Sequence, residues 1–541
     1  MQFRLFAPYT ASVDLLGSWS SDPVPMRQDD RGEWCVDVPL VDGRHGYKFR
    51  LPSLSPFLDG AVVEITDPQA RLVDEWDGDK SVIVVKDGRD VTVDPDFAWR
   101  HDDVPLPQDH ELTIYELHIA EFGWAGDRPG TFATAAARLD YLRDLGVTAV
   151  EFMPIAAFPG DKAGGYNIRH PFAVENVYGG PADLKRFVDE CHARGMRAIM
   201  DLVLNHTETE SSLTKIDFHY WFRNDREGEQ SFGPKFDYER VDAKLDLMPA
   251  RRYAQEIAAY WLGEYHLDGY RLDATAILDN FDLVGEVRAI ANDRSGGKPV
   301  YIVAEQLPED PATATGDGPA DGAWHQRFET SVVPILCEEP GASVAALAEA
   351  LQPRNHGYAL PALVVNYIES HDEFTLMQRL AERGIFEDKA FRKNKLGATL
   401  LFTAVGNPMI YQGQEFGGHR RRDLEIRPLQ WDLLDGDYGL HLKEHYAFLA
   451  RTRRDSPALK GDELALLHVD EAAGVLAYQR GPAEVVIVAN LRDDERALTV
   501  PFPAGNWREL TFGYDIEVPD NIMTDSFPAS SAKIYVRSQP R

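Results

Sequence analysis

Apolar positions change their spacing twice along the chain. Up to about residue 93 they alternate with polar ones in short runs, as in Trp34-Cys-Val-Asp-Val-Pro-Leu40 and Tyr47-Lys-Phe-Arg-Leu51, parted by turn pairs such as Asp42-Gly43. Residues 81–85, then Asp87-Gly88, then 91–93 repeat the pattern of a hairpin whose turn residues tolerate positive φ. Residues 1–93 are therefore expected to form a β-sandwich. The Pro- and Asp-rich stretch 94–110 has little to bury and reads as a linker.

From Leu112 onward, apolar runs of strand length alternate with amphipathic stretches, the pattern of parallel strands covered by helices. Strands are predicted at 113–117, 149–153, 198–203, 269–272, 300–304, 363–367 and 409–411, with helices such as 131–145 and 181–194 between them. Seven or eight such units fit an α/β fold of the (β/α)₈ TIM-barrel type over 111–459 better than an open sheet, whose Gly-rich phosphate turn is missing. Residues of about 206–248 interrupt the period and read as an inserted lobe. After residue 460 short strands return, for example at 475–478 and 485–488, predicting a C-terminal all-β domain over 460–541.

A chain of 541 residues exceeds the usual size of one core, consistent with several domains. The formal net charge of −32 should repel nucleic acid and anionic membranes, which leaves a neutral substrate as the natural partner. Cys35, Cys191 and Cys337 are too few and too scattered for a disulfide framework or a zinc site. No apolar run reaches membrane-spanning length and the first eight residues lack the apolar stretch of a signal peptide, so a cytoplasmic protein is expected. His441-Leu-Lys-Glu-His445 fits an inverted zinc-protease pattern, but it lies past the last predicted strand and reads as part of a surface helix.

Polar and ionisable residues gather where the predicted strands end, which is where barrel active sites are built. They are Asp201, Asn205 and His206 after the third strand, Arg271 and Asp273 at the fourth, Glu305 at the fifth, and His371 and Asp372 at the next to last. Burying so many charges beside apolar strands is costly unless they act together.

The segments Asp201-Leu-Val-Leu-Asn-His206, Gly269-Tyr-Arg-Leu-Asp-Ala274, Val303-Ala-Glu305 and Glu369-Ser-His-Asp372 resemble, in order, the four signature regions of the α-amylase superfamily, glycoside hydrolase family 13. The resemblance implies a retaining enzyme acting on α-glucan or maltooligosaccharide. Asp273 would be the nucleophile, Glu305 the general acid/base and Asp372 the residue that helps distort the sugar. It further implies substrate contacts for Arg271, His206, His371 and Asp201, and a stacking platform at Tyr166 in Gly165-Tyr-Asn167. No cofactor is expected; calcium has one candidate ligand, Asn205. Trp124, Trp324 and Phe328 are candidates for outer sugar sites or for core.

The N-terminal module and the motifs Tyr115-Glu-Leu-His118 and Gly165 to Gly180 are similar to those of branching enzymes and trehalose-releasing hydrolases. Asn366-Tyr-Ile-Glu-Ser-His-Asp372 is similar to pullulanases, and Ser370 departs from the Asn common in α-amylases. Hydrolysis is the leading expectation. Branching or another transglycosylation, and an inactive glucan-binding accessory protein, are the alternatives; the intact set Arg271, Asp273, Glu305 and Asp372 argues against the last.

Overall fold

A computed structural model of the protein describes residues 1–160, 162–223, 232–420 and 425–538. Residues 224–231 of the expected inserted lobe and 539–541 of the expected C-terminal domain lie outside the described residues.

The N-terminal strands form two antiparallel sheets, of three and seven strands. The alternation that predicted them is an inside–outside alternation: along Gly43–Pro52 every second side chain from His45 to Leu51 is buried. Lys80–Lys86 turns back on Arg89–Asp90 through Asp87 and Gly88, both at positive φ (50° and 70°), the two-residue turn that matches the twist of paired strands. The return strand is thus earlier and shorter than the 91–93 run predicted.

The middle of the chain is a closed barrel of eight parallel strands. They are β1 (Ile114–Leu117), β2 (Ala149–Phe152), β3 (Arg197–Leu202), β4 (Gly269–Leu272), β5 (Tyr301–Ala304), β6 (Gly322–Ala323), β7 (Val365–Asn366) and β8 (Asn407–Tyr411). Each pairs with its neighbours in sequence, β8 returns to β1, and a parallel bridge from Trp324 to Val365 closes the ring between β6 and β7. Every strand residue is buried, because helices cover the outside and side chains fill the inside. The lower interior is apolar, with Ile114, Ala149, Ile199, Tyr301, Val303, Val365 and Met409 in one cluster.

Local chemistry fixes the elements around it. The helix Pro181–Ala193 starts with proline at its first turn, and Asp183 accepts from the Gly180 N–H in front of it. The helical run predicted at 131–145 is two helices, Phe132–Ala136 and Leu139–Leu145, with Ala137 and Arg138 between. Gly269 opens β4 at φ 148°, where a Cβ would stand 2.0 Å from the Tyr301 carbonyl oxygen of β5. Only glycine lets the two strands that carry the site pair this closely.

Residues Leu464 to Arg537 supply a six-stranded antiparallel sheet and a two-stranded one, Arg496–Pro501 with Ile522–Phe527, around their own apolar cluster. The N-terminal sheets share one continuous core with the barrel and hydrogen-bond the segment after β3, as where Ser53 Oγ donates to the Lys215 carbonyl oxygen (2.7 Å) and Tyr9 to Asp242 (2.8 Å).

No described helix is long and apolar enough to cross a membrane.

Candidate active site

At the C-terminal mouth of the barrel the apolar interior gives way to a charged layer centred on Arg271. Its guanidinium is fully buried, and residues 271 and 273 point the same way because two residues along a strand return to one face. Nη1 donates to both oxygens of Asp201 (2.9 and 2.8 Å) and to Oδ1 of Asp273 (2.9 Å). Nη2 lies 2.9 Å from Glu305 Oε1, with that oxygen off the line of the N–H bond. Trp324 closes the site from the side, its ring centroid 4.7 Å from the guanidinium carbon.

Glu305 is fixed from the neighbouring strand. The Ala274 N–H donates to its Oε2 (2.7 Å), while the Thr275 N–H and hydroxyl donate to its backbone carbonyl (3.0 and 2.9 Å). Ala274 adopts the left-handed conformation (φ 45°, ψ 52°), which costs a non-glycine residue about 1–2 kcal/mol. The kink aims that N–H at the carboxyl, so strain and function coincide.

The two carboxyls differ in environment. Asp273 accepts from Arg271 and from the Asn205 amide (2.7 Å). Burial pushes Glu305 up to about 8; Arg271 pulls it down, and Asp273 and Asp372 push it further up. A raised acid, Glu305, thus stands beside Asp273, which is held by two donors, an asymmetry suited to acid-assisted nucleophilic displacement. Burial likewise raises Asp201, to about 7, against the pull of Arg271.

The remaining predicted residues gather around this pair. Tyr166 donates to Asp201 Oδ2 (2.5 Å), and its ring lies stacked on His371, 4.8 Å between centroids. His371 sits 3.3 Å from Asp372, whose side chain is 61% exposed at the rim. Burial lowers the His206 pKa, and His206 Nδ1 meets the Asn205 amide oxygen. Asn205 therefore spends its amide nitrogen on Asp273 and its oxygen on His206. Trp324 and Phe328 are buried among core residues and Trp124 is partly buried. His441 and His445 lie on the helix Asp437–Asp455, where His445 bonds Thr399 and the Lys395 carbonyl oxygen.

The family description "Alpha amylase, catalytic domain" matches residues 120–231. A malto-oligosyltrehalose trehalohydrolase of Saccharolobus solfataricus is 29% identical over 453 residues, 77% of this chain and 73% of its own. Over most of its length the chain is thus similar to α-amylase-family enzymes. The 1,4-alpha-glucan branching enzyme GlgB of Corynebacterium jeikeium is 25% identical, covering 95% of this chain and 76% of its own. Pullulanase type I of Bacillus subtilis, solved with maltose, shares the fold at a TM-score of 0.81 and 21% identity, over 99% of this chain and 84% of that one. Like these relatives, the protein is an enzyme.

Two carboxyls beside this site were not among the residues expected from sequence. Glu116, on β1, accepts from the His371 backbone N–H (3.1 Å) and meets its Nδ1 (2.6 Å). Glu151, on β2, is 1% exposed inside the barrel. The signal for both was a lone acid at the inward position of an otherwise apolar strand, Ile114-Tyr-Glu116 and Ala149-Val-Glu151, and the two are paired in register.

Proposed function

We propose that the protein is a retaining glycoside hydrolase that cleaves α-glucosidic bonds of maltooligosaccharides or starch- and glycogen-type glucans. Asp273 attacks the anomeric carbon while Glu305 gives its proton to the glycosidic oxygen, so that the leaving chain departs as an alcohol and a covalent glycosyl-enzyme remains. Glu305, now a carboxylate, takes a proton from the water that displaces Asp273, and both residues return to their starting states. Asp372, His371 and His206 hold hydroxyls of the reacting sugar, and Tyr166 packs against it. The observation that carries this reading is that one guanidinium lies 2.9 Å from both Asp273 and Glu305, while burial pushes Glu305 up to about 8. Two carboxyls on one such fork are neighbours, in keeping with the separation of about 5–5.5 Å that retention uses.

Asp273→Asn and Glu305→Gln are each expected to cut kcat by at least about 10²-fold with an unchanged circular dichroism spectrum. Near wild-type turnover by either variant would overturn the assignment. Bond preference is read from products on amylose, pullulan, maltooligosaccharides and a trehalose-capped maltooligosaccharide, analysed by chromatography and NMR. Shorter chains or free trehalose identify the hydrolase. A second reading, transfer of the glycosyl group to a sugar hydroxyl, is favoured by the likeness to the branching enzyme over 95% of this chain, and it would appear as new α-1,6 branches without loss of polymer.

A further inference from the structure

Glu151 is a buried acid that the reaction described above does not use. It points into the barrel from β2, paired in register with Glu116 on β1 and with Ile199 on β3, two residues below Asp201. It therefore stands between the apolar interior and the charged layer. Neither of its carboxyl oxygens meets a protein hydrogen-bond partner, and the same holds for Arg271 Nε and Trp324 Nε1, both buried; Arg271 Nη2 has only the misaligned approach of Glu305. Arg271 and Trp324 are packed on each other. Unmet donors of Arg271 and Trp324 and the unmet carboxyl of Glu151 are thus all buried inside the barrel, and Arg271 is near enough to act on Glu151 electrostatically.

We propose that Glu151 is a positioning residue of the catalytic site: as a carboxylic acid, linked through internal water to Arg271, it holds the guanidinium from below. Buried water characteristically bridges polar groups that lack protein partners, and a polar contact beyond about 3.5 Å is its usual setting. The charge balance requires the acid form. The groups acting on Glu151 are Glu116 from β1, Asp201 from β3, Arg271 from β4 and Glu305 from β5, and it acts in turn on Tyr301 of β5. Arg271 is the one cation among them, and Asp201 and Asp273 already accept from it. A carboxylate at 151 would draw the guanidinium down and away from Asp273; the acid can donate to and accept from water without competing for that charge. Burial, with Glu116 next, raises Glu151 well above the usual carboxylate range.

The inference rests on the catalytic reading of Asp273 and Glu305, and one of its tests needs no turnover. Infrared difference spectra of wild type against Glu151→Gln should show the loss of one carboxylic acid C=O band; loss of carboxylate bands instead would overturn the proposal even if the protein cleaved no glucan. In kinetics, Gln reproduces a neutral donor and acceptor, so Glu151→Gln should keep kcat within about threefold of wild type and leave the alkaline limb of the kcat/KM profile in place. Glu151→Leu should lower kcat by about tenfold or more with little change in KM, which Gln rescues. An alkaline limb that moves to lower pH in Glu151→Gln would mean that a negative charge had been removed, and a fully active Glu151→Leu would mean that nothing was being positioned. If Glu151→Leu does not fold, the spectra and the pH profile of Glu151→Gln decide the matter alone.

Discussion

Arg271 works by geometry as much as by charge. A planar fork reaches Asp201 and Asp273 from one nitrogen and Glu305 from the other, whereas an ammonium on a flexible stem is a single point. Arg271→Lys is therefore expected to lower kcat/KM by about 10²-fold, the cost of a small misplacement at a reacting centre. The pH profile carries the sign. Glu305 works as the protonated acid, so wild-type kcat/KM should fall as pH rises through about 8, and in Arg271→Lys the limb should move upward because less of the cation's pull reaches Glu305. A profile measured on a maltooligosaccharide that already falls below pH 6, or that does not move in the variant, would contradict this. The residues named from sequence lie at this site because reactive side chains at strand ends advertise themselves. Glu116 and Glu151 did not, because a single acid within a four-residue strand reveals its role only once the inward parity is known. Ala274 was equally silent, since its contribution is a backbone conformation.

At the scale of elements, the barrel was legible wherever a strand is a run of apolar residues, and illegible at β6. That strand is Gly322-Ala323, two small residues without the β-branched run that marks a strand. Glycine is required there, since a Cβ at 322 would lie 2.1 Å from the Tyr301 hydroxyl and 2.3 Å from the Leu363 carbonyl oxygen. Another relation that composition conceals is the joint between the barrel and the C-terminal sheet. Arg480, fully buried on a strand of that sheet, donates to the carbonyl oxygens of Thr403, Ala404, Leu459, Gly461 and Glu463. It thereby serves the orphan carbonyls at the end of the helix Glu387–Thr403. Arg453 bonds the same Leu459 carbonyl. Arg480→Met would fill similar volume but strand these acceptors, and it should lower the unfolding free energy by about 3 kcal/mol or more, read from the urea midpoint at constant m. A midpoint unchanged from wild type would show that the joint is held by apolar packing alone.

Over the whole molecule, acidity has two faces. The surface excess behind the net charge of −32 repels itself and is screened by salt, so it sets solubility and ionic-strength response. Within the fold, burial raises Asp67 to about 6, Asp201 and Glu415 to about 7, and Glu305 and Glu369 to about 8. A carboxyl whose folded pKa lies above its unfolded value binds more protons folded than unfolded across the interval between them. Its contribution to stability is full below the ordinary carboxylate range and is lost as pH rises through the folded value. Five such groups should make Tm fall between about pH 6 and pH 9 at a salt concentration that screens the surface. The lowered acids Asp79, Asp102, Asp242 and Asp525 act in the opposite sense, costing stability as pH drops below the ordinary range, so the optimum falls in mildly acidic solution. Glu369 tests this without touching the reactive pair: one of its oxygens caps the Leu376 N–H and the other has no protein partner. Glu369→Gln keeps the acceptor and removes the titration, so its Tm should decline less than that of wild type between pH 6 and 9. Parallel declines in the two proteins would place the alkaline loss at the surface instead.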